Sequence, residues 1–436
     1  MVYLPHWPIP STLGRREIDY ETVFERMEFA LKKLGNPHQK LPPVIHVAGT
    51  NGKGSTAALI AKIFSCAGYK THIYTSPHLH DCNERIVLAG EKISDNFLFE
   101  VMEETRIAAA CDKNSPPLTF MESFTIGAFL AFSKVPADVL IIECGMGGRI
   151  DATNILEEKL ATVITPISFD HTEYLGNSLQ RIALEKAMIM RPQSPLIVAS
   201  QPNEAREIIK ILACDQNIKT YFYDENFSIT MDEESGEFDL EFNGKIIENL
   251  PKPNLLGSHQ YINFATAIAT ILAINDKFKI DETNIRQALT SVKWPSRLEK
   301  VENNLNKILK NPESEIIIDG AHNEAGAFAL ARWIAEDLSK KTFVICGFSR
   351  NKCKKEFLGK FKNVAEVVAV RVDGEPYPER SEVIAKIGEE IGMRIFAAEN
   401  LLDAIDYVAK VCGDESCKIV ICGSLHLARD VRKFGG

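Results

Sequence analysis

The sequence predicts an α/β protein of two domains, and three features support this. Short apolar runs typical of strands alternate with segments of helical spacing, which favours a mainly parallel sheet covered by helices. Residues 218–250 instead show short alternating runs around turn signals, which indicates a small antiparallel addition. The chain has 436 residues, more than a single hydrophobic core usually supports.

The strand-like runs follow one another along both predicted domains. The first domain is predicted over residues 1–295, with the runs VIHV (44–47), THIYT (71–75), VLIIEC (139–144), TVITPI (162–167) and PLIVAS (195–200). The second is predicted over residues 296–436, with EIIID (315–319), TFVICG (342–347), EVVAVRV (366–372) and KIVICG (418–423). We therefore predict a P-loop-type N-terminal domain and a smaller Rossmann-like α/β C-terminal domain.

Composition excludes several classes of partner. The formal net charge is −9, and lysines and arginines are scattered among acids, so nucleic acid is not an expected partner. No apolar run approaches the roughly 20 residues of a membrane span, and the start MVYLPHWPIP lacks a basic segment followed by an apolar one. The ten cysteines form no CxxC pair. We expect a soluble cytoplasmic protein that does not bind membranes.

The segment HVAGTNGKGST (46–56) follows the first strand and opens a helical segment. A glycine-rich turn in that position points backbone N–H groups and a helix dipole at an anion, and Lys53 can reach the outer phosphates of a nucleotide. Only two residues separate Gly49 from Gly52, compared with four in the usual Walker motif, so this is a variant loop. The alternative is a plain strand-to-helix turn, for which one or two glycines would suffice.

Two further strand ends carry candidate ligands. Glu143 ends the third strand-like run and suits a magnesium ion beside nucleotide phosphates; the alternative is an ion pair with a nearby arginine such as Arg149. The glycines that follow leave room for a ligand. The segment SFDHTEYLG (168–176) offers Asp170 and His171. A lone histidine is usually a hydrogen-bonded surface or core group, but its place at another strand end favours a site.

Ten motifs together carry a family resemblance. They are GTNGKGS, YTSPHL (74–79), NERI (83–86), ECGMGGRIDATN, DHTEYLG, IALEKA (182–187), GSHQYINFATA (257–267), WPSRLEK (294–300), IDGAHN (318–323) and CGSLHLARDV (422–431). Over residues 17–432 the chain resembles the folylpolyglutamate synthase/dihydrofolate synthase family, a branch of the Mur ligase superfamily. The resemblance implies ATP-dependent ligation of L-glutamate to dihydropteroate, and to reduced folates, through an acyl phosphate. It also implies a monomer.

The resemblance assigns residues to three ligands. Those for ATP are Asn51, Gly52, Lys53, Gly54, Ser55, Asn263, Arg297, Asp319 and His322; those for magnesium, with two sites expected, are Ser76, Glu143 and His171. Those for the folate are Phe120, Glu122, Ile150, Asp151 and Ala152. Phe120 would stack on the pterin, with an ordinary core aromatic as the alternative. Because the ATP residues fall in both predicted domains, the resemblance implies a nucleotide between them. Lys53, Lys186 and His171 are the expected catalytic residues.

Lys186 lies in the predicted helix that follows DHTEYLG. Helical phase places it on nearly the same face as Ile182 and Ile189, and we expect that face to turn towards the sheet. The alternative is a solvated surface lysine beside Glu185. The resemblance implies that carbon dioxide carbamylates this amine, which would give an anion that helps to hold magnesium.

The chain departs from the family pattern at three places, and two other functions stay open. EKAGIIK appears as EKAMIMR, WPGRLE as WPSRLE, and a Lys-Asp pair as Lys352 followed by Cys353. Met188 and Ser296 replace glycines, so we expect φ < 0 at both positions. The alternative functions are a Mur-type ligase that acts on another acid, and a regulator in which ATP drives domain closure without forming a product.

Overall fold

The structure is a computed structural model that describes residues 20–110, 117–375 and 377–435. The start MVYLPHWPIP, on which the absence of an export signal was predicted, lies outside these ranges. The described chain divides into two compact units. The first holds the residues up to Asn254 together with Tyr261–Val292, and the second holds Leu255–Gln260 together with the residues from Lys293 onwards.

The first unit contains an eight-stranded sheet that is parallel except at one edge. Its strands are β1 (Val44–Ala48), β2 (Thr71–Tyr74), β3 (Ile86–Leu88), β4 (Glu91–Lys92), β5 (Val139–Glu143), β6 (Ala161–Ile164), β7 (Leu196–Val198) and β8 (Thr220–Phe222). They lie in the order β4-β3-β2-β5-β1-β6-β7-β8, with only β3 and β4 antiparallel to their neighbours. Because β5, β1 and β6 are adjacent and parallel, the loops after them meet at one edge.

Helices cover this sheet, as the alternating sequence pattern predicts. They are α1 (Val23–Lys33), α2 (Lys53–Cys66), α3 (Asp95–Ala110), α4 (Phe120–Lys134), α5 (Thr172–Leu175), α6 (Leu179–Ala187), α7 (Asn203–Asp215), α8 (His259–Ala273) and α9 (Glu282–Ser291). The first two residues of α8 belong to the second unit. No helix in the described ranges is long and apolar enough to cross a bilayer.

The antiparallel addition and the second sheet complete the architecture. The strands β9 (Phe227–Met231), β10 (Phe238–Phe242) and β11 (Lys245–Leu250) form an antiparallel sheet. In the second unit, β12 (Glu299–Val301), β13 (Glu315–Ile318), β14 (Lys341–Cys346), β15 (Glu366–Val370), β16 (Phe396–Ala398) and β17 (Cys417–Cys422) lie in the order β12-β13-β17-β14-β15-β16. Only β12 is antiparallel. The helices of this unit are α10 (Glu324–Glu336), α11 (Lys354–Gly359), α12 (Ser381–Glu390), α13 (Leu401–Cys412) and α14 (Leu425–Arg432). The predicted fold class is confirmed.

One hydrophobic core cluster of the first unit explains where α4 lies. Phe124 and Phe129 of α4 and Tyr74 of β2 are buried in it. The helix begins with a capping box, in which Thr119 and Glu122 each accept a backbone N–H of the other. This cap and the apolar face bring the start of α4 to the sheet edge that carries the candidate site.

Ser296, one of the two residues that replace a family glycine, has a left-handed backbone. Its φ is 56°, so the expectation of φ < 0 is wrong at this position; Met188, with φ of −65°, meets it. Ser296 is fully buried and its Oγ has no hydrogen-bond partner among the described residues. Its amide donates to Glu299 and its carbonyl accepts from Gly320, which holds the backbone in place. Position 296 thus keeps a glycine conformation without a glycine.

Restoring glycine at this position should stabilise the protein. Ser296→Gly removes left-handed strain of roughly 1–2 kcal/mol and a buried unpaired hydroxyl. Against this, glycine gives the unfolded chain more conformational freedom, which destabilises the folded state by roughly 0.5–1 kcal/mol. We expect a net gain of about 1 kcal/mol in the free energy of unfolding, measured in denaturant. The matched control is Ser314→Gly, because Ser314 is also buried but its Oγ accepts the amide of Cys417. Equal destabilisation by both variants would contradict the strain argument.

Candidate active site

The loop between β1 and α2 has a backbone that only glycine permits. Gly49 has φ of 147° and Gly52 has φ of 84°. A Cβ at Gly49 would lie 1.9 Å from Thr165 Oγ1, and one at Gly52 would lie 2.1 Å from Asn263 Oδ1. The loop therefore packs directly against the chain after β6 and against α8. This close packing is unnecessary in a plain turn and holds the N-terminus of α2 in a defined position.

The loop is also braced by the segment that follows β6. The amides of Thr50 and Asn51 donate to Pro166 O at 3.0 and 3.2 Å. Thr50 Oγ1 donates to the carbonyl of Ser168 and accepts its amide, both at 3.1 Å. Gln201 holds this segment in turn, since its Oε1 accepts the amide of Ile167 at 2.9 Å. Because the first two loop amides are used in this way, the amides of the first turn of α2 are left to face an anion.

Two polar side chains at the start of α2 have the chemistry of a phosphate site. Lys53 Nζ donates to Thr50 O at 3.1 Å and lies 3.8 Å from Glu143 Oε1. Ser55 Oγ is buried, with the residue 1% exposed, and has no hydrogen-bond partner among the described residues. A buried unpaired hydroxyl costs roughly 1–3 kcal/mol, so a ligand that supplies a partner there binds more tightly. The loop therefore fits a nucleotide phosphate.

Glu143 lies at the end of β5, as predicted, and is 5% exposed. The alternative that it pairs with Arg149 is wrong. Arg149 Nε donates to Glu185 at 2.9 Å, and its two terminal nitrogens donate to Glu21. Glu143 thus lies close to Lys53, the lysine of the glycine-rich loop.

The other two predicted magnesium ligands have different surroundings. Ser76 follows β2, and a Cβ added at Gly145 would lie 3.5 Å from its Oγ. His171 has φ of 50°, its side chain is 40% exposed, and its amide donates to Asp170 Oδ1. Within the described ranges no three His, Cys, Asp or Glu side chains come together as a metal site. The donors do fit magnesium, which binds few carboxylates and completes its shell with phosphates and water.

Lys186 is buried, so the alternative of a solvated surface lysine is wrong. It is 4% exposed, and Ile182 and Ile189 beside it are fully buried. Its Nζ donates to Gly49 O at 2.8 Å, which ties α6 to the loop. Burial, followed by repulsion from Lys53, lowers the pKa of Lys186 to about 7. Near neutral pH a substantial fraction of this amine is therefore uncharged and nucleophilic.

Two of the predicted folate residues lie at the start of α4. The Glu122 carboxylate is held by Arg26, with Nη2 to Oε1 at 2.7 Å and Nε to Oε2 at 3.2 Å, and is 2% exposed. Its observed role is a buried ion pair and a helix cap. Phe120 is half-buried against the core, 5.6 Å from the ring of Phe124, and the Arg85 guanidinium lies 5.7 Å from its centroid. One part of the ring is thus core and another part is accessible, so stacking on a ligand stays a prediction.

The other three predicted folate residues follow β5. Asp151 accepts the amide of Met146 at 2.9 Å and the amide of Thr153 at 3.0 Å. Ile150 and Ala152 pack on the core cluster beside it. A Cβ at Gly145 would lie 3.4 Å from Asp151 Oδ2, as well as close to Ser76 Oγ. The structure therefore brings a predicted folate residue and a predicted magnesium ligand to the same glycine.

In the second unit, three predicted nucleotide residues come together at the end of β13. Asp319 accepts the amides of Leu298 and Ala321 at 2.9 and 2.8 Å. Arg297 donates to Ser296 O and lies so close to Gly320 that a Cβ there would meet its Nη1 at 2.4 Å. His322 Nδ1 is 2.8 Å from Gly320 O. The end of β13 thus brings together a cation from residue 297 and an anion and an imidazole from residues 319–322.

The chain matches two protein-family models and a relative of nearly the same length. Residues 47–271 match the model of the Mur ligase middle domain, and residues 301–434 match that of the dihydrofolate synthetase C-terminal domain. The dihydrofolate synthase/folylpolyglutamate synthase of Bacillus subtilis is 30% identical over 433 residues, with 96% of each chain covered. This chain belongs to the folylpolyglutamate synthase/dihydrofolate synthase family of Mur ligases. It is a ligase of that type.

Solved structures of the family agree in fold. Mycobacterium tuberculosis folylpolyglutamate synthase complexed with ADP and AMPPCP is similar with a TM-score of 0.84 and 31% identity, and 94% of each chain is covered. The E. coli FolC protein in complex with DHPP and ADP is similar with a TM-score of 0.83 and 27% identity, covering 97% of this chain and 95% of that one. Both of these related structures hold a nucleotide.

The sequence did not predict several residues that lie beside the predicted site residues of each unit. Thr50 and Ser168 stand inside motifs that were quoted, yet their mutual hydrogen bonds required the fold. Gln201 carries no sequence signal. His259 lies in the GSHQ motif and is half-buried. Its Nδ1 is buried and has no partner among the described residues, and burial lowers its pKa although Asp319 opposes this. An unpaired buried nitrogen is a signal that only a structure can give.

Ser55 and Ser194 allow a matched test of the phosphate loop. Both are buried, but Ser194 Oγ donates to Lys159 O at 2.6 Å, whereas Ser55 Oγ has no partner in the described chain. Ser55→Ala should raise the free energy of unfolding of the free protein by about 1 kcal/mol, because it removes an unpaired buried hydroxyl. It should weaken ATP binding about tenfold, because it also removes a ligand contact. Ser194→Ala should cost about 1 kcal/mol of stability and leave ATP affinity unchanged. Calorimetric titration and denaturant unfolding measure both; the reverse pattern would contradict the assignment.

Proposed function

We propose that this ligase joins L-glutamate to dihydropteroate, which gives dihydrofolate, and adds further glutamates to reduced folates. The observation that carries the proposal is the phosphate loop, in which Ser55 has an unpaired buried hydroxyl and Lys53 lies 3.8 Å from the strand-end carboxylate Glu143. The Bacillus subtilis relative is a dihydrofolate synthase/folylpolyglutamate synthase, and the E. coli structure holds DHPP and ADP. These relatives align with 96% and 97% of this chain, so the proposal covers both units.

The need for ATP follows from the chemistry of amide formation. A carboxylate does not acylate an amine at neutral pH, because its leaving group would be oxide or hydroxide. Transfer of the γ-phosphoryl group to a carboxylate oxygen makes an acyl phosphate; the glutamate amine attacks its carbonyl carbon, and phosphate leaves with the C–O bond electrons. Catalysis of phosphoryl transfer rests on positioning and on neutralising charge on phosphoryl oxygens. Lys53 and the first turn of α2 provide both.

Magnesium is proposed at two places close to the phosphates. Glu143, Ser76 and His171 would hold it, and the first two offer the hard oxygen donors that magnesium prefers. Bound magnesium supplies charge neutralisation at the phosphoryl oxygens. Ser76 reaches towards Gly145 from β2 while Glu143 ends β5, so these donors come from neighbouring strands. His171 joins them only if its half-exposed ring turns from Asp170 towards the ion.

A carbamate is proposed on Lys186. Three observations support it: the amine is buried, its pKa is lowered to about 7, and its hydrogen bond goes to a carbonyl and not to a carboxylate. The uncharged amine attacks carbon dioxide at carbon, and the proton that it then loses leaves a carbamate anion. This turns a cation beside Lys53 into an anion, which removes the repulsion that lowers the pKa of Lys186.

The remaining assignments follow the same reasoning. We propose Asn51, Gly52, Gly54 and Asn263 of the first unit, and Arg297, Asp319 and His322 of the second, as ATP contacts, and the Phe120 and Asp151 regions as the folate end. We further propose residues 1–295 as the ATP-binding domain and 296–436 as the glutamate ligase domain. A cytoplasmic monomer is the expected form; nine described cysteines are free thiols, as a reducing compartment predicts.

The reaction can be tested with purified protein. In the presence of ATP, magnesium and L-glutamate, we expect ADP and phosphate to appear only when dihydropteroate or tetrahydrofolate is added, and product mass to rise by one glutamate at a time. The two acceptors assayed separately determine which activities are present. ATP hydrolysis at an equal rate without acceptor would refute the ligase. Turnover only with another acid would favour a different Mur-type ligase, and ATP binding without incorporation would favour a regulator.

The carbamate can be tested through its pH dependence. In ¹³C-bicarbonate, a carbamate signal should be present about one unit above the lowered pKa of Lys186 and lost about one unit below it, because only the uncharged amine reacts. Lys186→Ala should lose the signal and most activity, and acetate should restore part of the activity. Lys159→Ala is the matched control, since Lys159 is also buried with a pKa well below its usual value. A signal that survives Lys186→Ala would refute the assignment.

A further inference from the structure

A buried chain of hydrogen bonds connects β1 to the loop after β5. His46 is fully buried in β1, and its Nε2 lies 2.9 Å from Thr153 Oγ1. Thr153 Oγ1 donates to Asp151 Oδ1 at 2.5 Å. Cys144 Sγ lies 3.0 Å from the same histidine nitrogen. None of the roles proposed above uses His46, Thr153 or Cys144.

The hydrogen-bond network determines where the protons lie. Thr153 has one hydroxyl proton, and the Asp151 carboxylate only accepts, so that proton points to Asp151. The Thr153 oxygen then accepts, which requires a proton on His46 Nε2. Complete burial holds the pKa of His46 well below its usual value, so the ring is neutral and carries one proton. With that proton on Nε2, Nδ1 is bare, and it has no partner in the described chain. Each group therefore has one orientation, running from His46 through Thr153 to Asp151.

The chain of hydrogen bonds ends at the Asp151 carboxylate, and both oxygens of this carboxylate are held by donors. Oδ1 accepts from the amide and the hydroxyl of Thr153, and Oδ2 accepts from the amide of Met146 at 2.9 Å. The absence of a side chain at Gly145 leaves space beside Oδ2, since a Cβ there would lie only 3.4 Å away. A carboxylate oxygen has room for a further donor in that space. A pterin ring presents N–H donors of this kind along one edge.

We infer that His46 and Thr153 are positioning residues that orient the Asp151 carboxylate for the pterin end of the folate. This inference rests on the proposed function and extends it to two buried residues that would not touch the substrate. A carboxylate that has lost the Thr153 hydroxyl keeps one backbone amide donor on each oxygen. It is then held less firmly about its terminal bond, so its Oδ2 is less well aligned with the space at Gly145. The phosphate loop is held by other contacts, those from Pro166 and Ser168. We therefore expect ATP binding to be independent of the hydrogen bonds that join His46, Thr153 and Asp151.

The test compares two substitutions at one position. Thr153→Val keeps the shape and removes the hydroxyl, whereas Thr153→Ser keeps the hydroxyl. For Thr153→Val we expect KM for dihydropteroate to rise roughly tenfold, as for one lost hydrogen bond to a charged group, with KM for ATP unchanged. Thr153→Ser should retain the wild-type KM for dihydropteroate. An unchanged KM in Thr153→Val, or equal effects on both substrates, would overturn the inference.

His46 provides a second test that does not depend on turnover. ¹⁵N NMR of the imidazole should show Nε2 protonated and Nδ1 bare in the wild type, and a proton on Nδ1 would overturn the proposed orientation. His46→Gln keeps a donor near the Nε2 position and should bind dihydropteroate more tightly than His46→Leu, with both variants checked for folding by thermal unfolding. A wild type that binds ATP but no folate acceptor would refute the proposed function itself, whereas equal binding by wild type and Thr153→Val refutes only the positioning role.

Discussion

The backbone of Gly49 is the point on which the candidate site of the first unit depends. Its Cα lies so close to Thr165 that no side chain fits, and its carbonyl accepts the buried amine of Lys186. These two contacts fix the loop between the sheet and α6. Because the loop cannot relax away from them, α2 starts at a defined place and its first amides point in one direction. A site that binds phosphate through backbone N–H groups needs this rigidity, since the groups must be aligned before the ligand arrives.

The same contacts create an electrostatic problem. Lys53 and Lys186 are close enough for the first to lower the pKa of the second, while Glu143 lies 3.8 Å from Lys53. Two cations this close in a largely buried region repel each other, and the carboxylates of Asp170 and Asp151 offset only part of this. An uncharged Lys186, a nucleotide phosphate and a carbamate each reduce the remaining cost. The pair of lysines therefore favours a negatively charged group beside it.

The second unit shows how a family feature persists when its residue type changes. Ser296 keeps the left-handed backbone that glycine permits, because its amide and carbonyl are both held, by Glu299 and Gly320. Gly320 in turn lies against Arg297, beside the carboxylate of Asp319. Relaxing the strain would therefore move the turn that carries three proposed ATP contacts. Local strain of this kind is retained when the surrounding hydrogen bonds determine the conformation.

The sequence alone determined the features that depend on local order along the chain. Strand and helix alternation, the antiparallel addition, the glycine-rich loop and the buried face of Lys186 all follow from periodicity and turn chemistry, which act between residues a few positions apart. The tertiary structure decided which side chains meet. Arg149 pairs with Glu185 and Glu21 and not with Glu143, Glu122 is occupied by Arg26, and Ser296 is left-handed. His46 and Thr153 are 107 positions apart and join only because β1 and β5 are neighbours. Contacts at such separations depend on strand order and packing, which no local pattern encodes.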